Sequence, residues 1–121
     1  METILNALKH LRVGVILDEY ALQKQIADVL SQQGIEYKKE FVLGPRNRVD
    51  FLTDRGVAVE VKKGKPNRTS LISQINRYAE FDDVKSIIIV VETSIRSPIH
   101  KTDNGKPCII MGLRKLWGIA L

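Results

Sequence analysis

Two hydrophobic periods divide this chain into elements. From about Leu17 to Gln33, Leu22, Ile26, Val29 and Leu30 recur on one stripe at helical spacing, and Gly34 supplies a stop signal. Ile35 to Leu43 reads as a strand ended by Gly44-Pro45. Two strand-like runs follow, RVDFL and VAVEVKK, joined by Thr53-Asp54-Arg55-Gly56. Gly64-Lys65-Pro66-Asn67 breaks the pattern, and Thr69 or Ser70 is placed to cap a helix running to about Phe81, with Leu71, Ile75, Tyr78 and Ala79 as its apolar stripe. Ser86 to Val91 is continuously apolar, as a central strand covered on both faces requires. Thr93 to Pro107 is polar with an Asp-Asn-Gly turn signal and reads as a long loop. Cys108 to Met111 predicts a last strand, and Leu113 to Leu121 a short helix anchored by Trp117. This order predicts an α/β (α+β) chain, a mixed central sheet flanked by helices.

The turn between the paired runs aligns their side chains. Asp54-Arg55-Gly56 fits a three-residue hairpin loop, with glycine where a left-handed conformation is needed. That loop pairs Thr53 with Val57, Phe51 with Val59 and Asp50 with Glu60, and sets Arg48 opposite Lys62. Val49, Phe51, Val57, Val59 and Val61 then share an apolar face. Arg48, Asp50, Leu52, Ala58, Glu60 and Lys62 share the other. Directly opposed residues have Cβ atoms about 5 Å apart, so two carboxylates stand side by side and repel. A divalent cation between them removes the conflict, and Mg2+ is commonly held by one or two carboxylates with water and phosphate oxygens. The bland alternative is a surface ion pair between Glu60 and Lys62. Glu19 also has two readings: a carboxylate on the core-facing stripe of its helix that needs a partner, or a first-turn acid that suits the helix dipole.

The 121 residues are enough for one domain, spanning 1–121, with a single core. Apolar residues make up 44% of it, and no run reaches the length of a membrane span. The first twenty or so residues lack a signal-peptide pattern. A lone cysteine, Cys108, excludes an internal disulfide framework and a cysteine-based metal cluster. The expected compartment is cytoplasmic. A net charge of +5 and a pI near 9.5 favour anionic partners. His10 and His100 have no ligand-like spacing, and no Ser/His/Asp or Cys/His grouping stands out.

Together these residues resemble the PD-(D/E)xK nuclease superfamily. Its signature, an acid on one strand and acidic-x-Lys on the next, is matched by Asp50 and by Glu60-Val61-Lys62, with Val49 where many members have proline. Glu19 matches a glutamate that many members carry on the first helix. Gln74-Ile75-Asn76-Arg77-Tyr78 is similar to the Q-x-x-x-Y element of RecB-like members, and the short basic chain to Holliday-junction-resolvase-like nucleases. The resemblance implies a restriction-endonuclease-like αβββαβ core and a metal-dependent DNA endonuclease using Mg2+ or Mn2+. It implies Asp50 and Glu60 as metal ligands with the Val61 carbonyl, and Glu19 acting through water or on a second ion. Lys62 would orient the attacking water and stabilise transition-state charge, and Gln74 would position the water or the scissile phosphate. Tyr78 lies on the apolar stripe and is assigned to the core. Arg46, Arg48, Lys63, Lys65, Arg68 and Arg77 ring this site as expected phosphate contacts, giving salt-sensitive and sequence-indifferent binding. Glu40 would support the site if its strand borders the hairpin. DNA is the expected partner, with nothing in the residues separating it from RNA, and a homodimer suits a substrate cut on both strands. The rival readings are a non-catalytic nucleic-acid-binding module and a protein-interaction factor on the same fold.

Overall fold

A computed structural model describes residues 1–11, 19–63, 66–91 and 99–112. Within them the order is α1 (Glu2–Leu8), α2 (Glu19–Gln32), β1 (Tyr37–Gly44), β2 (Asn47–Thr53), β3 (Val57–Lys62), α3 (Arg68–Ala79), β4 (Ser86–Val91), β5 (Ile99–Lys101) and β6 (Pro107–Gly112). The strands form one mixed sheet in the order β1-β2-β3-β4-β6-β5. β3, β4 and β6 run parallel; β1–β2, β2–β3 and β5–β6 pair antiparallel. The chain is therefore α+β, as its pattern predicts. The expected terminal helix from Leu113 to Leu121 lies outside the described residues. No helix among the described residues is long and apolar enough to cross a membrane.

Each face of the sheet carries its own core. On one, the predicted α2 stripe of Leu22, Ile26, Val29 and Leu30 joins Ile4 and Leu8 of α1 over Phe51, Val57, Val59, Val61, Ile88 and Val90. On the other, Leu71, Ile75, Tyr78 and Ala79 of α3 cover Leu52, Ala58, Ile87, Ile89, Cys108 and Ile110. All six residues of β4 are buried, which is why its sequence shows no alternation. Each large aliphatic side chain so buried contributes about 1.5–3 kcal/mol.

The hairpin turn forms as its residues require. Gly56 takes φ +77° and donates its amide to the Thr53 carbonyl at 3.0 Å, while the Val57 amide donates to Thr53 Oγ1 at 3.1 Å. The register is the predicted one, with Phe51 opposite Val59 and Leu52 opposite Ala58. One expectation fails nearby. Val49 packs with Leu52 and Ala58 on the α3 face, not with Phe51. The cause is an interrupted alternation in two neighbouring strands. In β1, Tyr37 packs against the α2-side core but Phe41 and Leu43 against the other, and between them Glu40 adopts φ 51°. The β1–β2 register sets Glu40 across from Asp50, so both strands change faces at the same level.

Two corrections concern the rest of the chain. The N-cap of α3 is Asn67, whose Oδ1 accepts from the Ser70 amide at 2.9 Å, and Thr69 and Ser70 lie inside the helix. Part of the expected loop from Thr93 to Pro107 is ordered as β5 and a turn at 102–106 that docks onto the end of α3. There Asn104 Nδ2 donates to the Ala79 carbonyl at 2.7 Å, Lys106 Nζ to the Phe81 carbonyl at 3.0 Å, and the Asp103 amide to Asn76 Oδ1 at 2.9 Å. The Asn104 amide thus satisfies a carbonyl that the end of α3 leaves without a helical partner, and the Lys106 ammonium adds a bond to the Phe81 carbonyl just beyond the helix.

Candidate functional site

The β2–β3 backbone ladder covers Leu52 and Phe51, and beyond Phe51 the side chains of Asp50 and Glu60 take over. The Asp50 amide donates to Glu60 Oε1 at 3.0 Å, and the Val61 amide donates to Asp50 Oδ2 at 2.7 Å. Each acid thus bonds to the strand of the other. The pair the register predicts is present, and hydrogen bonds to backbone amides relieve part of its like-charge conflict. Burial first, and then the adjacent Glu60 carboxylate, push Asp50 up to about 6, while the Val61 amide and Lys62 pull the other way.

Glu60 is 7% exposed, and donors from β3 and α3 surround its second oxygen. Lys62 Nζ lies 3.4 Å from Oε2, Gln74 Nε2 3.4 Å and Tyr78 Oη 3.1 Å. Lys62 shares the face of Glu60 because the two are alternate residues of one strand. Gln74 and Tyr78 share a helix face one turn apart, and Gln74 Nε2 donates to Tyr78 Oη at 2.9 Å. The Arg48 carbonyl, 2.9 Å from the Tyr78 hydroxyl, is a second acceptor for its one proton. Burial and the nearby Glu60 carboxylate hold that phenol well above its usual range.

Asp50, Glu60, Lys62 and Gln74 therefore converge, with the Val61 backbone bonded to Asp50. Glu19 does not join them. It opens α2, which packs on the opposite face of the sheet from α3, and its side chain is exposed in the first turn. Among the described residues no three His, Cys, Asp or Glu side chains group as a metal cluster. A metal at this site would rest on the two carboxylates. They suit Mg2+ or Mn2+, both hard cations preferring oxygen.

Beside Lys62 and Gln74 opens a depression of about 240 Å3, lined also by Asn67, Ser70, Leu71 and Arg77. Arg77 reaches from α3 to Asn47 Oδ1 at 3.4 Å and to Ser73 Oγ at 3.2 Å. Arg46, Arg48, Lys63 and Arg68 are exposed, on the β1–β2 turn, on β2, after β3 and at the start of α3. All belong to the end of the sheet where β3 finishes. Lys65 lies outside the described residues. Glu40 does lie on a strand bordering the hairpin, and its side chain is exposed. Tyr78, part of the Q-x-x-x-Y spacing but assigned by its apolar stripe to the core, reaches the site as well: four residues from Gln74, its polar tip meets that of Gln74 on one helix face. No family model, curated protein or solved structure matches this chain.

Proposed function

We propose that this chain is a metal-dependent phosphodiesterase acting on DNA, an endonuclease on a restriction-endonuclease-like core. One observation carries the reading: two carboxylates from adjoining strands, a lysine ammonium and a glutamine amide meet around Glu60, with 3.4 Å from Oε2 to both Lys62 Nζ and Gln74 Nε2. Ordinary folding has little use for two acids and an amine gathered where a strand ladder ends.

Asp50 and Glu60 would hold the ion, with the Val61 carbonyl as a further oxygen. A bound Mg2+ or Mn2+ supplies a more acidic water and a polarised phosphoryl oxygen. Lys62, 29% exposed, brings its ammonium to the rim, where it can orient water and meet charge developing on the phosphate. Gln74 holds Glu60 on one side and faces the depression on the other, so its amide can direct a phosphate oxygen. Arg77 and Arg68 on α3, with Arg46, Arg48 and Lys63, supply the positive rim along which a nucleic-acid backbone lies. A homodimer fits duplex or branched DNA cut on both strands.

A second reading has its own support. Both acids already bond to backbone amides and, among the described residues, no third joins them, which also suits a nucleic-acid-binding module without turnover. Divalent-dependent cleavage of plasmid, flapped and four-way DNA, and of RNA, separates the two. Cleavage by the unaltered chain that is lost in Lys62→Ala, with binding retained, is the expected result. Tight salt-sensitive binding with no cleavage of any form would establish the module instead.

A further inference from the structure

We infer that Tyr78 is a positioning residue, whose hydroxyl, and not its ring alone, sets the direction of the Glu60 carboxylate. The inference rests on the reading above only in taking Glu60 as a working carboxylate. The ring has an ordinary place: it is 2% exposed and packs with Leu52, Ala58, Ile75 and Ile89 in the α3-side core. Phenylalanine would fill that space as well. What phenylalanine lacks is an oxygen that meets three polar atoms from three segments, Gln74 Nε2 at 2.9 Å, the Arg48 carbonyl at 2.9 Å and Glu60 Oε2 at 3.1 Å.

Counting protons makes this contact set informative. Gln74 donates into the hydroxyl. The Arg48 carbonyl and an ionised Glu60 can only accept, so the single phenolic proton serves two acceptors. These acceptors belong to β2 and β3 beyond Phe51 and Val59, where the backbone ladder has ended. Donated to Glu60, the proton holds Oε2 against α3. Donated to Arg48, it releases Oε2 to another partner. Neither arrangement leaves the buried hydroxyl without a bond, so Glu60 can turn to a cation while Tyr78 stays satisfied. Gln74, one turn earlier on the helix, keeps the hydroxyl in place through both.

Tyr78→Phe keeps the ring and removes the switch. The test follows the Glu60 carboxyl-carbon resonance in glutamate-labelled protein, together with Mn2+ affinity by calorimetry. We expect the resonance to move and Mn2+ affinity to fall about ten- to a hundredfold, as when outer partners of metal ligands are lost. An unmoved resonance, or an unchanged Mn2+ affinity, overturns the inference and returns Tyr78 to the core. If the unaltered protein takes up no Mn2+, the metal reading has failed on its own, and the resonance alone decides the role of Tyr78. If the phenylalanine variant does not fold, fluorotyrosine is incorporated and the Tyr78 fluorine signal compared with and without Glu60→Gln. A displaced signal supports the contact; coincident signals overturn it.

Discussion

Asp50 and Glu60 each bind the strand of the other: the Asp50 amide donates to Glu60 Oε1 at 3.0 Å, and Asp50 Oδ2 accepts from the Val61 amide at 2.7 Å. The atoms that would serve chemistry also join β2 to β3 where backbone pairing stops. Structure and candidate function therefore compete for the same oxygens, and substitutions here separate the two.

Glu60→Ala removes the acceptor for the Asp50 amide and the partner of Lys62, Gln74 and Tyr78, so we predict a loss of about 1–3 kcal/mol, the cost of orphaned buried donors. Glu60→Gln keeps an acceptor oxygen and should cost clearly less, while abolishing Mn2+ binding. Urea titration of both variants checks the order; equal losses would mean that the hydrogen bonds contribute nothing.

The raised Asp50 gives a signed pH dependence. Its carboxyl holds a proton more tightly folded, at about 6, than in the ordinary range near 3.8. Stability from this group is therefore fully present below about 3.8, falls as pH rises through about 6 and stays lost above it. Asp50→Asn keeps an oxygen for the Val61 amide and removes that penalty. The variant should thus gain on the parent as pH rises from 4 to about 7, read by thermal melting across that window. A constant difference would show that Asp50 titrates normally.

Gly56 and Gly34 form a matched pair. Both have positive φ, +77° and +72°, but a Cβ on Gly56 would stand 2.6 Å from Lys85 Cγ and 3.2 Å from the Asp83 carbonyl, whereas one on Gly34 meets nothing within 4 Å. Gly34→Ala should cost about 1–2 kcal/mol from backbone strain alone. Gly56→Ala should cost more, because the α3–β4 turn must also move. Chemical denaturation of the two alanine variants tests the ranking.

Binding to nucleic acid should weaken steeply with salt. Each phosphate contact contributes about 0.9 to the slope of log affinity against log salt on duplex DNA. Arg77→Ala and Arg68→Ala should each lower that slope by about one, evenly across sequences. An unchanged slope in both would remove α3 from the interface.

The fold was legible where one residue fixes a geometry. Gly56 set the hairpin loop, and the register followed, as did the convergence of Asp50 with Glu60. The place of Val49 was not legible, because alternation holds only while strands stay regular, and Glu40 and Asp50 interrupt it together. α1 escaped because it has seven residues, with Ile4, Ala7 and Leu8 buried and Leu5 packed beside them, too short a pattern to stand out. β5 escaped because three residues in a polar stretch carry no period. Within the site, Glu19 illustrates the limit of helical stripes: a position at the very end of a helix lies on the stripe yet clears the core into solvent. Tyr78 illustrates the converse, an apolar-stripe residue whose one polar atom does separate work.

The turn at 102–106 has a consequence for trimming. Because Asn104 and Lys106 bond the carbonyls of Ala79 and Phe81 at and just beyond the end of α3, and β6 supplies the second parallel neighbour of β4, a fragment stopping at Val91 would lack both supports. Shortening the chain to the segment from α2 to β4 would therefore loosen the helix that bears Gln74, Arg77 and Tyr78.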